Sequence, residues 1–501
     1  MKRVLCLIAA SMLAFSTFSC SEKKNKKSSA PAADTTADTG EDISGEPVER
    51  EFMTYSAEDF SAVNVETTIT DREFPYKRCE FSSKEQDFGS RISPCRDEKY
   101  RDRFMEYLNE GYRDERFMAD RLSEWEMSFT DPDSFIITSA IGCGTTAYIA
   151  VNYDTLCYGC HESSVFRYDT EKGELKEILH HSDPENSLEI RQICSVRGEL
   201  FVDTDTMGIC RFDGETGEME QILESEDDGY GHMVPNDADR LIVTFSVPQR
   251  EEVDKDYKPK EGEIVYSDNN EDFFIEHGSD MTMKEYDFDT GEWKELYSVF
   301  SPAEESKWGT AEFPNIYGEL FAWKEKPEGT RKYDVVTEEY RVSTGLNNCD
   351  IVYAGRDKLI LSLSNGGDYG LSASKYVLHE FDLETMQHYV IDYTNYGGNC
   401  VAFGDGVITY MSGMRTGGAY YIMPALGLVF PVETVPIDDV SQMNMSSGIF
   451  GHDSKNAMFM TYRPTKSKPV TVSTPDGDFT HTEYYDYEYV YFWFTAEGND
   501  E

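Results

Sequence analysis

The chain has 501 residues, 39% of them hydrophobic and 13% aromatic, which is enough apolar material for a sizeable buried core. Asp and Glu number 95 against 46 Lys and Arg, giving a formal net charge of −49. That balance excludes nucleic acid, whose phosphates need a basic counter-surface, and excludes charge-driven docking onto anionic lipid.

Lys2 and Arg3 precede an apolar run from Val4 to Phe18, and Ser19 stands before Cys20. The run is too short and too early to span a membrane, so residues 1–20 read as an export signal. Thr17-Phe18-Ser19-Cys20 resembles the lipobox of bacterial lipoproteins, with Thr17 where Leu is usual. The resemblance implies cleavage before Cys20 and lipidation of its thiol. Residues 21–50 are rich in Lys, Ser, Ala, Thr, Asp and Glu and read as a flexible tether. The expected location is therefore extracytoplasmic, with the chain lipid-anchored to a membrane.

Residues 51–130 read as a mixed, partly helical portion. Ser93 suits an N-cap with Pro94 at the first helical position. Tyr100, Phe104, Tyr107 and Leu108, then Phe117, Arg121, Leu122 and Trp125, recur at helical spacing and predict two short helices. From about residue 131 the period becomes that of strands. Phe135-Ile136-Ile137 and Tyr148-Ile149-Ala150-Val151 come first. Six further runs each open on a turn, at Arg197-Gly198, Asp239-Arg240, Gly318-Glu319, Asp357-Lys358, Gly404-Asp405 and Asn456.

Within this region one phrase recurs five times. Tyr168-Asp169 leads into Gly173-Glu174-Leu175, and Phe212-Asp213 into Thr216-Gly217-Glu218-Met219. Tyr286-Asp287 leads into Thr290-Gly291-Glu292-Trp293, Tyr333-Asp334 into Thr337 and Tyr340, and Phe381-Asp382 into Thr385 and Tyr389. The aspartates are 44, 74, 47 and 48 residues apart. In each copy an aromatic residue closes one strand, Asp bonds the amides of the turn, and Thr and Gly supply the turn chemistry. A period of about 40–50 residues marks a β-propeller built of four-stranded blades. Residues 286–293 resemble the corresponding stretch of a kelch repeat. The expected fold is all-β, a propeller over 131–501, with seven blades counted from the strand runs. The long interval places an acidic insertion at about 249–280, and insertions of this kind often carry binding. The aromatic run Tyr484 to Phe494 reads as a closing strand.

Cys157-Tyr158-Gly159-Cys160-His161 has the form of a c-type haem attachment site, in which two thiols bond the porphyrin and the histidine ligates iron. The short hairpin around it leaves little room for haem. A local disulfide or free thiols fit better, and zinc shared with His180, His181 or Cys210 is a further reading. No cofactor is therefore expected. Cys79 with Cys95 makes a plausible disulfide in an exported chain. Cys143, Cys194 and Cys400 each precede an apolar run; they read as small buried hydrophobes, with a position facing a central channel as the alternative. Asp268-Asn269-Asn270-Glu271-Asp272 lacks the ligand alternation and glycine of a calcium loop. No G-x-S-x-G, H-E-x-x-H or phosphate-binding glycine loop occurs. These readings favour a binding protein, its partner a protein or glycan at the cell surface, over a glycan hydrolase or lyase or a haem redox protein. The acidity suits solubility and, more sharply, attraction to a basic partner.

Overall fold

The computed structural model describes residues 53–86, 135–153, 162–181, 188–224 and 230–496, the last apart from 235–238, 255–256, 259–264, 269–271, 303–310, 315–319, 326–330, 337–339, 347–348, 356, 366–374, 397–398, 411–417, 435–447, 453–454 and 475–476. The described residues are strands almost throughout, with two single 3-10 turns at Ala57–Asp59 and Pro424–Leu426. The helices expected over 93–125 lie outside the described residues.

The strands fall into seven antiparallel sheets. The first runs Phe135–Cys143, Thr146–Tyr153, Glu162–Asp169, Glu174–His181, and the second Ile190–Val196, Glu199–Thr204, Gly208–Phe212, Met219–Leu223. The third holds Tyr230–Val234, Ile242–Val253, Asp272–Asp287 and Glu292–Pro302, with Val265–Asp268 added at one end. The fourth is Ala311–Pro314, Leu320–Glu325, Arg331–Val336, Tyr340–Ser343, and the fifth Cys349–Ala354, Lys358–Asn365, Lys375–Asp382, Gln387–Asp392. The sixth is Asn399–Phe403, Gly406–Tyr410, Gly418–Met423, Leu428–Thr434. The last comprises Gly448–His452, Asn456–Thr474 and Gly477–Thr495, and takes its fourth strand, Arg78–Ser82, from the other end of the chain. First strands of neighbouring sheets approach one another, first to second, fifth to sixth, sixth to last and last to first. The sheets therefore stand around a common axis, and the protein is a β-propeller. The turn-and-run signals of the sequence mark the second strand of each sheet.

Alternation along each strand supplies the cores between sheets. In the second sheet Val202 and Cys210 face the first sheet with Ile141 and Val165, while Phe201 and Ile209 face the third with Val243 and Phe245. Leu359, Leu361 and Phe381 of the fifth sheet pack on Val335, Tyr340 and Val342 of the fourth. The other side of the fifth sheet, with Ile360 and Leu378, packs on Val407 and Ile422 of the sixth.

The N-terminal stretch forms strands where a mixed and helical portion was expected. Met53–Ser56, Ser61–Val65 and Thr68–Ile69 add in parallel to the outer edges of the fourth, fifth and sixth sheets. Arg78–Ser82 then pairs antiparallel with Val490–Phe494. Tyr484 to Phe494 thus belongs to a third strand, and the closing strand is N-terminal. Phe81 stacks on Tyr491 at 4.9 Å and meets Tyr168 of the first sheet at 4.5 Å. The indole of Trp493, fully buried, donates to the Gly144 carbonyl at 2.9 Å and fills the space a side chain at Gly142 would need.

The repeated turns are equivalent. Oδ1 of Asp169, Asp213, Asp287 and Asp382 accepts the amides two and three residues on, at 2.8–3.2 Å, always between third and fourth strands. Tyr168, Phe212, Tyr286 and Phe381 before them are all buried. At Gly217 (φ +78) a Cβ would strike the Ile178 carbonyl of the first sheet, so this turn packs on its neighbour only as glycine.

Candidate functional site: the polar clusters and the arm-bearing face

Because strands alternate in direction, first–second and third–fourth turns share one end of the ring. Second–third connections share the other. The aspartate turns occupy the first end, where Thr170 donates through N and Oγ1 to the Thr145 carbonyl. At the opposite end two second–third connections are drawn out into arms. In the third sheet the pairing of Tyr230–Val234 ends at Ser246, while the ladder to the third strand continues to Val253↔Phe273 with a bulge after Gln249. In the last sheet first-strand pairing ends at Met460, and the hairpin runs on to Thr474↔Gly477. At about 3.3 Å per residue the arms extend roughly 20 Å and roughly 45 Å beyond the sheets. The insertion expected as a loop at 249–280 is in its described part a ladder, with Val265–Asp268 as a third strand.

Cys157, Cys160 and His161 lie outside the described residues, as does Cys20. The ladder flanking the pentapeptide ends at Tyr153↔Glu162, on the arm-bearing end of the first sheet. Beside it, Ser164 Oγ donates to Glu177 Oε1 at 2.6 Å and lies 2.9 Å from His180 Nδ1, which is 3.1 Å from the same carboxylate oxygen. A relay needs the serine and the acid on opposite nitrogens of the imidazole. Here both share Nδ1, and the serine is bonded directly to the acid. The cluster ties third to fourth strand.

A second polar cluster lies between the fifth and sixth sheets. Ser362 Oγ and Tyr393 Oη are 2.7 Å apart, and Tyr393 Oη reaches Cys400 Sγ at 3.8 Å. Asp350 pairs with Ser362 in register on the first strand. Burial, with Asp350 nearby, pushes the Cys400 thiol up to about 11, and desolvation raises Asp350. A thiol so raised stays protonated and is a poor nucleophile or metal ligand. Burial likewise lifts Cys210 to about 11 and Cys349 to about 12. Cys210 sits in the core between first and second sheets, which disfavours its part in a zinc site.

The other cysteines are also packing groups. Cys194 is in the core between second and third sheets, 3.7 Å from Met233 Sδ, rather than facing a channel. Cys143 and Cys400 likewise pack against inter-sheet cores. Cys79 is a buried free thiol; Cys95, its expected partner, lies outside the described residues. Asp268 and Asp272 pair across the third-sheet arm tip, and no group of metal-ligating side chains assembles among the described residues.

Two features escaped the sequence. His379 Nδ1 and His388 Nε2 are 3.0 Å apart, and His388 stacks at 4.0 Å on Phe381, which Phe60, just before the strand Ser61–Val65, meets edge-on. Burial, then the neighbouring imidazole, lowers His379 to about 4. Asp203 in the second sheet and Glu380 in the fifth are buried acids, each raised by desolvation to about 7. Their Oδ2 and Oε2 have no hydrogen-bond partner among the described residues. No periodicity marks a strand residue as a buried acid.

No family model and no curated protein sequence matches the chain. Solved structures resemble it. One is the acylaminoacyl peptidase of Pyrococcus horikoshii, with TM-score 0.43 and 9% identity over 69% of this chain and 57% of that one. Another is the β-propeller domain of the trilobed protease from Pyrococcus furiosus, with TM-score 0.39 and 10% identity over 71% of this chain and 100% of that one. A third is an oligogalacturonate lyase from Vibrio parahaemolyticus, with TM-score 0.37 and 10% identity over 72% and 88%. The chain spans little more than half the length of the peptidase structure. At 9–10% identity these likenesses extend to the fold alone.

Proposed function

We propose that this protein is an extracytoplasmic, lipid-anchored binding protein whose ligand, a protein or glycan, seats on the arm-bearing end of the ring. Each of the seven sheets is one blade in this reading, and Cys20 carries the lipid. The observation that supports it best is the pair of arms, which rise from the same end although three sheets separate their sequence positions. Long ladders beyond a packed sheet gain nothing from its core, and a two-stranded ribbon is marginal by itself. A ligand held between or against them supplies the missing burial. The polar clusters fit the same reading. The Cys400 thiol and the His379 and His388 imidazoles are held in uncharged forms, and the hydroxyls of the clusters are bonded to one another or to a carboxylate, as suits a rigid support.

Two measurements test this. Cys20→Ala should move the protein from the membrane fraction to the soluble one; a processed variant that stays membrane-bound refutes the anchor. Trimming both arms to tight turns (deleting 250–276 and 463–488) should abolish capture of ligand from surface extracts and glycan arrays, with thermal unfolding little changed. Equal capture by the trimmed protein refutes the binding face.

A further inference from the structure

We infer that the third-sheet arm takes an extended, Lys/Arg-rich polypeptide segment, added as a strand along its axis-facing edge. This rests on the binding reading above and names its partner. Between residues 247 and 281 the sequence carries eleven acidic residues against four basic ones. Glu251 and Glu252 are exposed on the outgoing strand, and Asp254 is exposed just past its end. Arg250 lies over the Phe274 ring at 4.4 Å, and Glu251 meets His277 at 2.9 Å, a contact that is ionic only when the imidazole is protonated. Like charges so placed repel, and the repulsion is relieved by a cationic partner.

The backbone specifies what kind of cation. The third sheet orders its strands Tyr230–Val234, Ile242–Val253, Asp272–Asp287, with Val265–Asp268 on the far side of the arm. First-strand pairing stops at Tyr230↔Ser246. Beyond it, residues 247–253 have a ladder partner on one side only among the described residues, and the other side faces the axis. An extended polypeptide can continue the first strand's place there, its amides and carbonyls completing the ladder. Its basic side chains, alternating along the strand, line one face and reach Glu251 or Glu252, which point to opposite faces. Pro248, lacking an N–H, blunts the edge near the sheet and leaves the acidic part as the place of addition. The sheets of this protein accept added strands, since the N-terminal segment Ser61–Val65 is held in parallel along the outer edge of the fifth sheet.

The test uses the mature chain from residue 21 and a fluorescein-labelled 12-residue peptide alternating Lys and Val, read by anisotropy at low and high salt. Binding should weaken as salt rises, and Glu251→Gln/Glu252→Gln/Asp254→Asn should weaken it on the order of tenfold. Glu218→Gln/Asp289→Asn/Glu384→Gln, at the aspartate-turn end, should leave it within about twofold. Equal losses in both triple variants mean diffuse attraction to net charge and overturn the proposal. So does an N-methylated peptide of the same charge that binds as tightly as the unmodified one. A chain that captures a neutral glycan through its arms and ignores the basic peptide refutes this inference and leaves the binding reading standing. Capture unaffected by arm trimming refutes that reading instead.

Discussion

Single buried side chains give this propeller opposing responses to pH. His379 is neutral in the fold, at about 4, whereas an unfolded histidine titrates near 6.5. Its contribution to stability is therefore present above about 6.5 and lost as pH falls toward 4. Asp203 runs the other way. Raised to about 7 against an unfolded value near 3.9, it is protonated in the fold, and stability is lost as pH rises between the two values. Asp203→Asn removes the cost of ionising a buried carboxyl, so its melting temperature relative to the parent should be higher at pH 8 than at pH 5. A shift independent of pH would mean that Asp203 is not protonated in the fold. Neither residue stands out in the sequence, where an acid or histidine in a strand reads as a surface group. Only the packing of one sheet on the next reveals the desolvation.

At the scale of elements, the aspartate turns were fully legible and the N-terminal belt was not. Asp, Thr and Gly at fixed offsets dictate a turn from local chemistry, and the structure places four of the five copies alike, the fifth resting partly on residues beyond those described. The belt strands are two to five residues long and mostly exposed, so they carry no alternation to read. Their partners lie 287 to 360 residues away, as in Met53↔Tyr340 and Thr68↔Leu428. Phe60 is the buried anchor of the belt, 5.2 Å edge-on from Phe381. Phe60→Ala should destabilise by about 3 kcal/mol. Hydrogen exchange should quicken first at Ser61–Val65, whose leading amide donates to the Met386 carbonyl. If exchange there stays slow while the whole molecule melts early, the belt is part of the global fold rather than a strap upon it.

For the whole molecule, two kinds of information divide. The sequence by itself determined the all-β class, the propeller repeat and the acidic character, because each depends on local turn chemistry, side-chain alternation or a count of charges. It also located the third-sheet insertion, since a break in a regular period is visible without coordinates. Tertiary structure alone decided how the ring closes. Pairing Arg78–Ser82 with Val490–Phe494 joins segments about 400 residues apart, and no local rule selects one distant edge among many. It alone also decided that both arms rise from one end and which pair of sheets each of Cys143, Cys194 and Cys400 packs between, because the direction a side chain or hairpin takes is fixed only when neighbouring sheets pack against it.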